Sequence, residues 1–301
     1  MGAEEPRPEA VEAAPAIDDA RRQIWTREVA LMAGAAAPLP PLPPAGEAAT
    51  ARGEVERLRA DGLALLGGAL EPALCDALRE DVDFRLREAQ DRVRLGGAKN
   101  RFDIKLELAG PALAAARAVL RNGLFDVLAG VATPDAFLCE FGCLVSLPGA
   151  ERQPVHPDLV WQERPLFTTF VPLQDVHLAM GPTAIIPGTH TPEAHAELCG
   201  IDAASHQELL RTRPNHHFEC RKGDALVFDS RTLHAGGLND PEAGSRRAQF
   251  YISVQQAPEG EKWLPLRPKR RTDPSAYSII DHYHNEYRLK DFETWEHRFQ
   301  W

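Results

Sequence analysis

Between residues 136 and 255 the chain breaks repeatedly into short apolar or alternating runs separated by Gly and Pro, and this spacing limits the fold more than any other feature. The runs 136–147, 153–161, 166–176, 183–186, 216–221, 225–228, 231–234 and 246–255 read as strands. Eight short strands at this spacing imply a closed or double-sheet all-β unit, and a jelly-roll of two four-stranded sheets accommodates them. Residues 191–214 form the one helical or looped insertion, placed where a lid over a barrel mouth would sit.

The flanking segments read as support. Residues 54–89 suit two amphipathic helices split at Asp61-Gly62 and Gly67-Gly68, with Leu65, Leu70, Leu74 and Leu78 on a buried stripe. In 100–108, Phe102, Ile104, Leu106 and Leu108 alternate with Arg101, Asp103, Lys105 and Glu107, the pattern of a strand with one buried face, and a helix follows over 111–128. The organisation expected is mainly β with flanking helices. An extension over 1–53 carries a helix at 17–32 and a Pro-rich linker at 37–44; one domain over 54–257 combines a helical layer (54–132) with the jelly-roll (133–257); a tail over 258–301 packs on it.

The formal net charge of -10 argues against nucleic acid as the main partner, and no apolar run approaches the roughly 20 residues needed to span a bilayer. The basic cluster Lys269-Arg270-Arg271 reads as a solvated loop. Five cysteines, Cys75, Cys139, Cys143, Cys199 and Cys220, without a C-x-x-C pair suggest neither a disulfide framework nor a zinc ribbon. They fit a reducing compartment. The acidic first residues resemble no secretory signal, so the expected location is intracellular, in the cytoplasm. Oligomeric state is not legible.

Chemistry concentrates in His156-Pro157-Asp158. In an extended chain residues two apart project to one side, so the imidazole and the carboxylate converge on one ion. His234, at the end of the apolar run beginning near Gly223, offers a third ligand. Two imidazoles and a carboxylate leave the opposite positions of a metal open, the arrangement of non-haem Fe(II) oxygenases. Beyond the turn at residues 236–241, Arg246 starts a strand. Facing into a barrel it needs an anion, and a 2-oxo diacid would meet iron with its keto acid and the arginine with its far carboxylate. His190 and the His216-His217 pair read as structural, and Asp281-His282-Tyr283-His284 as surface or packing residues.

Four blocks in order, Gln153-Pro-Val-His-Pro-Asp158, Gly181-Pro-Thr-Ala-Ile-Ile-Pro-Gly-Thr-His190, Gly223-Asp-Ala-Leu-Val-Phe228 and Leu233-His-Ala-Gly-Gly-Leu-Asn239, resemble the phytanoyl-CoA dioxygenase family. The resemblance runs from about residue 58 to about 255. It implies a double-stranded β-helix (jelly-roll, cupin-like) core and an Fe(II)- and 2-oxoglutarate-dependent dioxygenase. Its ligands would be His156, Asp158 and His234, with Arg246 binding 2-oxoglutarate and O2 as the other co-substrate. The sequence departs from the family pattern at three points. Gly236 stands where a co-substrate-binding serine is frequent; the turn before Arg246 is one residue longer, which leaves Arg247 as the alternative binder; and Phe170 replaces a frequent tryptophan.

The reaction implied is oxidation of a small organic substrate with release of succinate and CO2. Asp158 fills the position that is a small residue in related halogenases, favouring hydroxylation or desaturation. Arg101, Lys105, Trp161 and Phe170 are the candidate pocket residues, with solvation of an exposed strand the competing role for Arg101 and Lys105. The alternatives are a catalytically idle jelly-roll that binds a metal or small ligand, and a zinc hydrolase using the same ligands, which would leave Arg246 without purpose.

Overall fold

A computed structural model describes residues 36–37, 51–89, 100–159, 164–198, 208, 212–256 and 287–296. The expected helix at 17–32, most of the Pro-rich linker, Lys269-Arg270-Arg271 and Asp281-His282-Tyr283-His284 lie outside them, as do Trp161 and Cys199.

The chain forms a jelly-roll of two facing sheets. The strands are β1 (Ala36–Ala37), β2 (Leu63–Leu66), β3 (Arg101–Lys105), β4 (Phe137–Ser146), β5 (Leu166–Pro172), β6 (Thr183–Ile185), β7 (Asn215–His217), β8 (Ala225–Asp229), β9 (His234–Gly236) and β10 (Arg247–Gln255). The larger sheet has six strands in the order β2-β8-β5-β10-β4-β3, and the smaller has four in the order β1-β7-β6-β9, so the expected division into four and four is corrected. All pairings of the larger sheet are antiparallel.

Three strands, β1, β2 and β3, come from outside the series that the spacing suggested. The run Leu63-Ala64-Leu65-Leu66 reads as part of a helical stripe, yet Gly62 adopts φ 76° and ends helix α1 (Ala51–Asp61), and the run then pairs with β8 as an edge strand. β3 extends the opposite edge, and β1 pairs parallel with β7. The expected strand over 153–161 shrinks to a single bridge, His156 to His234, because Pro154 and Pro157 remove donors that a continuous ladder needs.

Helices α1, α2 (Pro72–Ala89), α3 (Gly110–Val119) and α4 (Phe125–Val131) cover the outer face of the larger sheet. The expected helix over 111–128 is interrupted by a π-turn at Leu120–Leu124, where Gly123 adopts φ 110°. The even-numbered β10 residues Ala248, Phe250, Ile252 and Val254 point into this helical layer, with Phe102, Ile104, Phe141 and Val145. The odd-numbered ones face the interior between the sheets, where Tyr251 belongs to an apolar cluster with Phe170, Phe228, Ile185 and Met180. Cys75, Cys139, Cys143 and Cys220 are buried free thiols, and burial raises the pKa of each. No helix among the described residues is long and apolar enough to cross a membrane.

Candidate metal centre

His156 and His234 lie opposite each other on adjacent extended segments. Each backbone N–H donates to the other's carbonyl at 3.0 Å. The segment continues the contact at both ends, with Gln153 N–H to Gly236 O at 2.9 Å and Leu159 N–H to Ser230 O at 3.1 Å. This ladder holds the His-Pro-Asp tripeptide against the inner face of β9. Asp158 Oδ1 lies 3.5 Å from Nε2 of both histidines. The ligand atoms of His156, Asp158 and His234 all fall within 4.8 Å of one another, the group of this kind found among the described residues.

The tautomers suit a metal. His156 Nδ1 sits 2.7 Å from Pro154 O and His234 Nδ1 sits 2.9 Å from Thr232 O, so each Nδ1–H donates to a carbonyl and each Nε2 lone pair is directed at the shared point. Without a metal, burial disfavours the charge on Asp158, but the positive charge of a protonated His234 and Nε2–H donors from both rings outweigh it and hold the carboxyl well below the usual range. Burial also works against His234 becoming charged, while Asp158 pulls its pKa up. A divalent cation would satisfy the carboxylate without protonating either ring, and the donor set fits a hard-to-borderline metal such as Fe(II).

Arg246 is not the residue that faces the interior. Its guanidinium pairs with Asp83 on α2, at the outer surface. Because the turn before β10 is one residue longer, the alternation of the strand sends Arg247 inward instead, where it is 2 % exposed and donates to Gly181 O. Burial, with the neighbouring Arg101 charge, pulls its pKa down to about 9, and its Nε has no hydrogen-bond partner.

The same alternation relocates the candidate pocket residues. The exposed-strand role for Arg101 and Lys105 fails, because helices cover the opposite face of β3 and both side chains turn toward the interior. Arg101 is 3 % exposed and donates through Nη2 to Glu151 O and Gly237 O. Lys105 Nζ lies 2.6 Å from Asp103 Oδ2 and 2.5 Å from Tyr251 Oη, so its charge is already matched. Tyr251 in turn donates to Asp103 Oδ1 at 2.8 Å. Phe170 packs between Phe228 and Tyr251 at ring-centroid distances of 5.2 and 6.5 Å. Phe228 also packs on His234, with ring centroids 5.0 Å apart, and so braces a candidate ligand.

Glu140, Tyr251 and Ser146 also line this inner face, and sequence reasoning passed over them. The signal was present: each falls on the inward parity of β4 or β10 once Arg247 fixes the register, with Ser146 opposite Arg247 and Glu140 opposite Ser253. His216 shares a face with Ile185 and His234 through direct cross-strand pairing, whereas His217 points to the other side.

Residues 58–248 match the family model for phytanoyl-CoA dioxygenase, close to two thirds of the chain. The chain belongs to the phytanoyl-CoA dioxygenase family. Enzymes of this family use Fe(II) and 2-oxoglutarate. No curated protein sequence gave a significant match. Among solved structures, the carbocyclase SnoK from nogalamycin biosynthesis is 19% identical with a TM-score of 0.54, over 72% of this chain and 88% of its own. The epimerase SnoN from the same biosynthesis is 16% identical with a TM-score of 0.51, over 70% and 84%. AviO1 from Streptomyces viridochromogenes Tue57 is 21% identical with a TM-score of 0.51, over 69% and 95%. At these identities the likeness concerns the fold, and it agrees with the jelly-roll of a phytanoyl-CoA dioxygenase-like protein.

Proposed function

We propose that this protein is an Fe(II)- and 2-oxoglutarate-dependent dioxygenase that hydroxylates or desaturates a small organic substrate, releasing succinate and CO2. The observation that carries the proposal is the convergence of His156, Asp158 and His234 with both Nδ1 atoms already committed to carbonyls. These three residues would hold the metal, and Arg247 would receive the far carboxylate of 2-oxoglutarate. Fe(II), when bound, supplies the centre at which O2 and the keto acid react.

The chain's own residues do the rest. The backbone ladder to β9 orients His156 and Asp158, Phe228 braces the His234 ring, and the apolar wall of Phe170, Met180 and Ile185 keeps water from the interior. Asp158 fills the position through which a halide would reach the metal, which supports hydroxylation or desaturation. A catalytically idle jelly-roll would have no use for Arg247: burying a guanidinium without an anion costs several kcal/mol. A solved form of SnoN, 17% identical with a TM-score of 0.51, is described as a complex with Fe3+, alpha ketoglutarate and nogalamycin RO, which is compatible with a diacid in this fold.

The test is anaerobic addition of Fe(II) and 2-oxoglutarate, followed by air. A weak visible absorption band of the chelate should form, and succinate should appear on exposure to O2. Arg247→Ala should weaken 2-oxoglutarate by about tenfold to a hundredfold with Fe(II) affinity unchanged, the range for a lost charge-assisted hydrogen bond of about 1.5–3 kcal/mol. Arg246→Ala should lose only the Asp83 pair, worth about 0–1 kcal/mol of stability. No band with the parent protein, or a band unaffected by Asp158→Ala, would rule out the oxygenase reading. Gain of an oxygen atom in the product, against loss of two hydrogens, separates hydroxylation from desaturation.

A further inference from the structure

Arg101, Ser146 and Arg247 form one row across three strands. Arg101 pairs directly with Ser146, and Ser146 pairs directly with Arg247, so all three side chains emerge on the inner face. The two guanidiniums belong to strands on either side of β4, roughly 10 Å apart at the backbone by sheet spacing. Among the described residues neither has a carboxylate partner, and each is nearly fully buried. The Nε atoms of both arginines and the Ser146 hydroxyl are buried without a hydrogen-bond partner. Two like charges and three orphaned polar atoms in one row on the inner face describe a receptor for an anion.

Gly236 explains how Arg101 reaches it. A Cβ at Gly236 would lie 2.7 Å from Arg101 Nη1 and 2.5 Å from Gln153 Oε1, closer than real side chains approach. Any side chain there, serine included, would have to push the guanidinium aside. Gly236 is on β9 two residues past His234 and on the same face, about 7 Å along the strand. That places the guanidinium one diacid length from the candidate metal ligands. The carbonyls of Glu151 and Gly237 grip Nη2 at 2.9 and 3.0 Å and leave Nε and Nη1 for a ligand.

We propose that Arg101 is a second anion-binding and specificity-determining residue of this centre, taking over the contact that Gly236 lacks. The far carboxylate of the diacid is then clamped between Arg101 and Arg247, with Ser146 as a further donor. This rests on the reading of Arg247 given above. A two-arginine clamp makes the site demanding: a five-carbon 2-oxo acid ending in a methyl group would leave both guanidiniums unpaired, so 2-oxopentanoate should be rejected far more strongly than a single arginine would require.

The experiment measures binding of glutarate to the metal-free protein by calorimetry, and binding of 2-oxoglutarate and 2-oxopentanoate to the anaerobic Fe(II) form by the visible band. The variants are Arg101→Ala, Arg101→Lys, Gly236→Ser, Arg247→Ala and the double Arg101→Ala/Gly236→Ser. Arg101→Ala and Gly236→Ser should each weaken glutarate and 2-oxoglutarate by about tenfold or more, as for loss of a charge-assisted pair, with metal affinity unchanged. Discrimination against 2-oxopentanoate should fall in step, Arg101→Lys should recover part of the loss, and the double variant should bind better than Arg101→Ala. If folded Arg101→Ala binds both diacids within about twofold of the parent, below the scale of one such bond, Arg101 only brackets the loops and the inference is wrong. Where Arg101→Ala does not fold, Gly236→Ser decides: undiminished glutarate binding overturns the proposal. An effect of Arg101→Ala alongside an inert Arg247→Ala would uphold Arg101 and remove Arg247 from the reading above, whereas the reverse pattern would retain Arg247 alone.

Discussion

Arg246 and Arg247 are adjacent and chemically identical, yet one meets Asp83 at the surface and the other is sealed between two sheets. Only strand parity separates them, and a turn of uncertain length hides parity from sequence. His156 and Asp158 escaped that problem because their relation is local: residues two apart on extended backbone share a face whatever the register. Glu140 shows the converse. It faces the interior near Asp103 and Asp158, and burial first, then those two charges, raise its pKa, with Lys105 opposing. Its folded value therefore lies above its unfolded one, so stability is highest below the unfolded value and falls as pH rises through the folded one. Glu140→Gln should accordingly raise the unfolding midpoint of the metal-free protein at pH 7, where each 1 kcal/mol is worth about 2–4 °C. The gain should shrink to nothing as pH falls below the usual glutamate range, where Glu140 is protonated in the folded and unfolded states alike. A melt series across pH checks it, and an unchanged or lowered midpoint at neutral pH would mean Glu140 has a compensating partner.

At the scale of elements, the site depends on short pieces locked by backbone contacts. β6, β9 and the 153–159 segment are each too short to be recognised by periodicity with confidence in their ends, and 153–159 forms only one bridge. The apolar run at 63–66 was misread because four leucine- and alanine-rich residues carry no period of their own; pairing with β8 decides the matter. Gly181 ties the two sheets together. It adopts φ 64°, its carbonyl accepts from Arg247, and a Cβ there would sit 2.4 Å from Leu238 O. Gly181→Ala should then cost about 1–3 kcal/mol from the strained backbone and the clash. It should also weaken 2-oxoglutarate by moving the carbonyl that holds Arg247, while Fe(II) binding, which depends on β9 and the 153–159 segment, persists. Chemical denaturation combined with the visible-band titration measures both effects. A destabilised variant with parental 2-oxoglutarate affinity would show that Gly181 shapes the fold without positioning Arg247.

At the scale of the whole molecule, the candidate metal ligands occupy the inner faces while the helical layer on the outer face of the larger sheet supplies most of the apolar core. That division was legible, since amphipathic helices preceding a strand-rich region have only the sheet's outer face to cover. How the far end of the chain closes the layer was not. Residues 287–296 return to the start of β4, where Arg288 bridges Phe137 and Leu138 N–H donates to Tyr287 O at 2.9 Å. Trp295 is fully buried in the same core, its Nε1–H donating to Arg288 O at 2.8 Å and its carbonyl accepting from Arg117 at 2.9 Å. A tryptophan so enclosed carries a large share of the layer's packing, and Trp295→Ala should destabilise the protein by about 3–5 kcal/mol. The loss lies on the face opposite the ligands, so the fraction that remains folded should keep its affinity for Fe(II) and 2-oxoglutarate. Trp295→Phe, which retains the ring but not the N–H donor, should recover most of the stability. Urea denaturation of the three proteins, with the visible-band titration run well below each midpoint, tests this. Loss of 2-oxoglutarate binding in fully folded Trp295→Ala would mean that the helical layer governs the inner face through the sheet, and that the two sides of β4 and β10 are not independent.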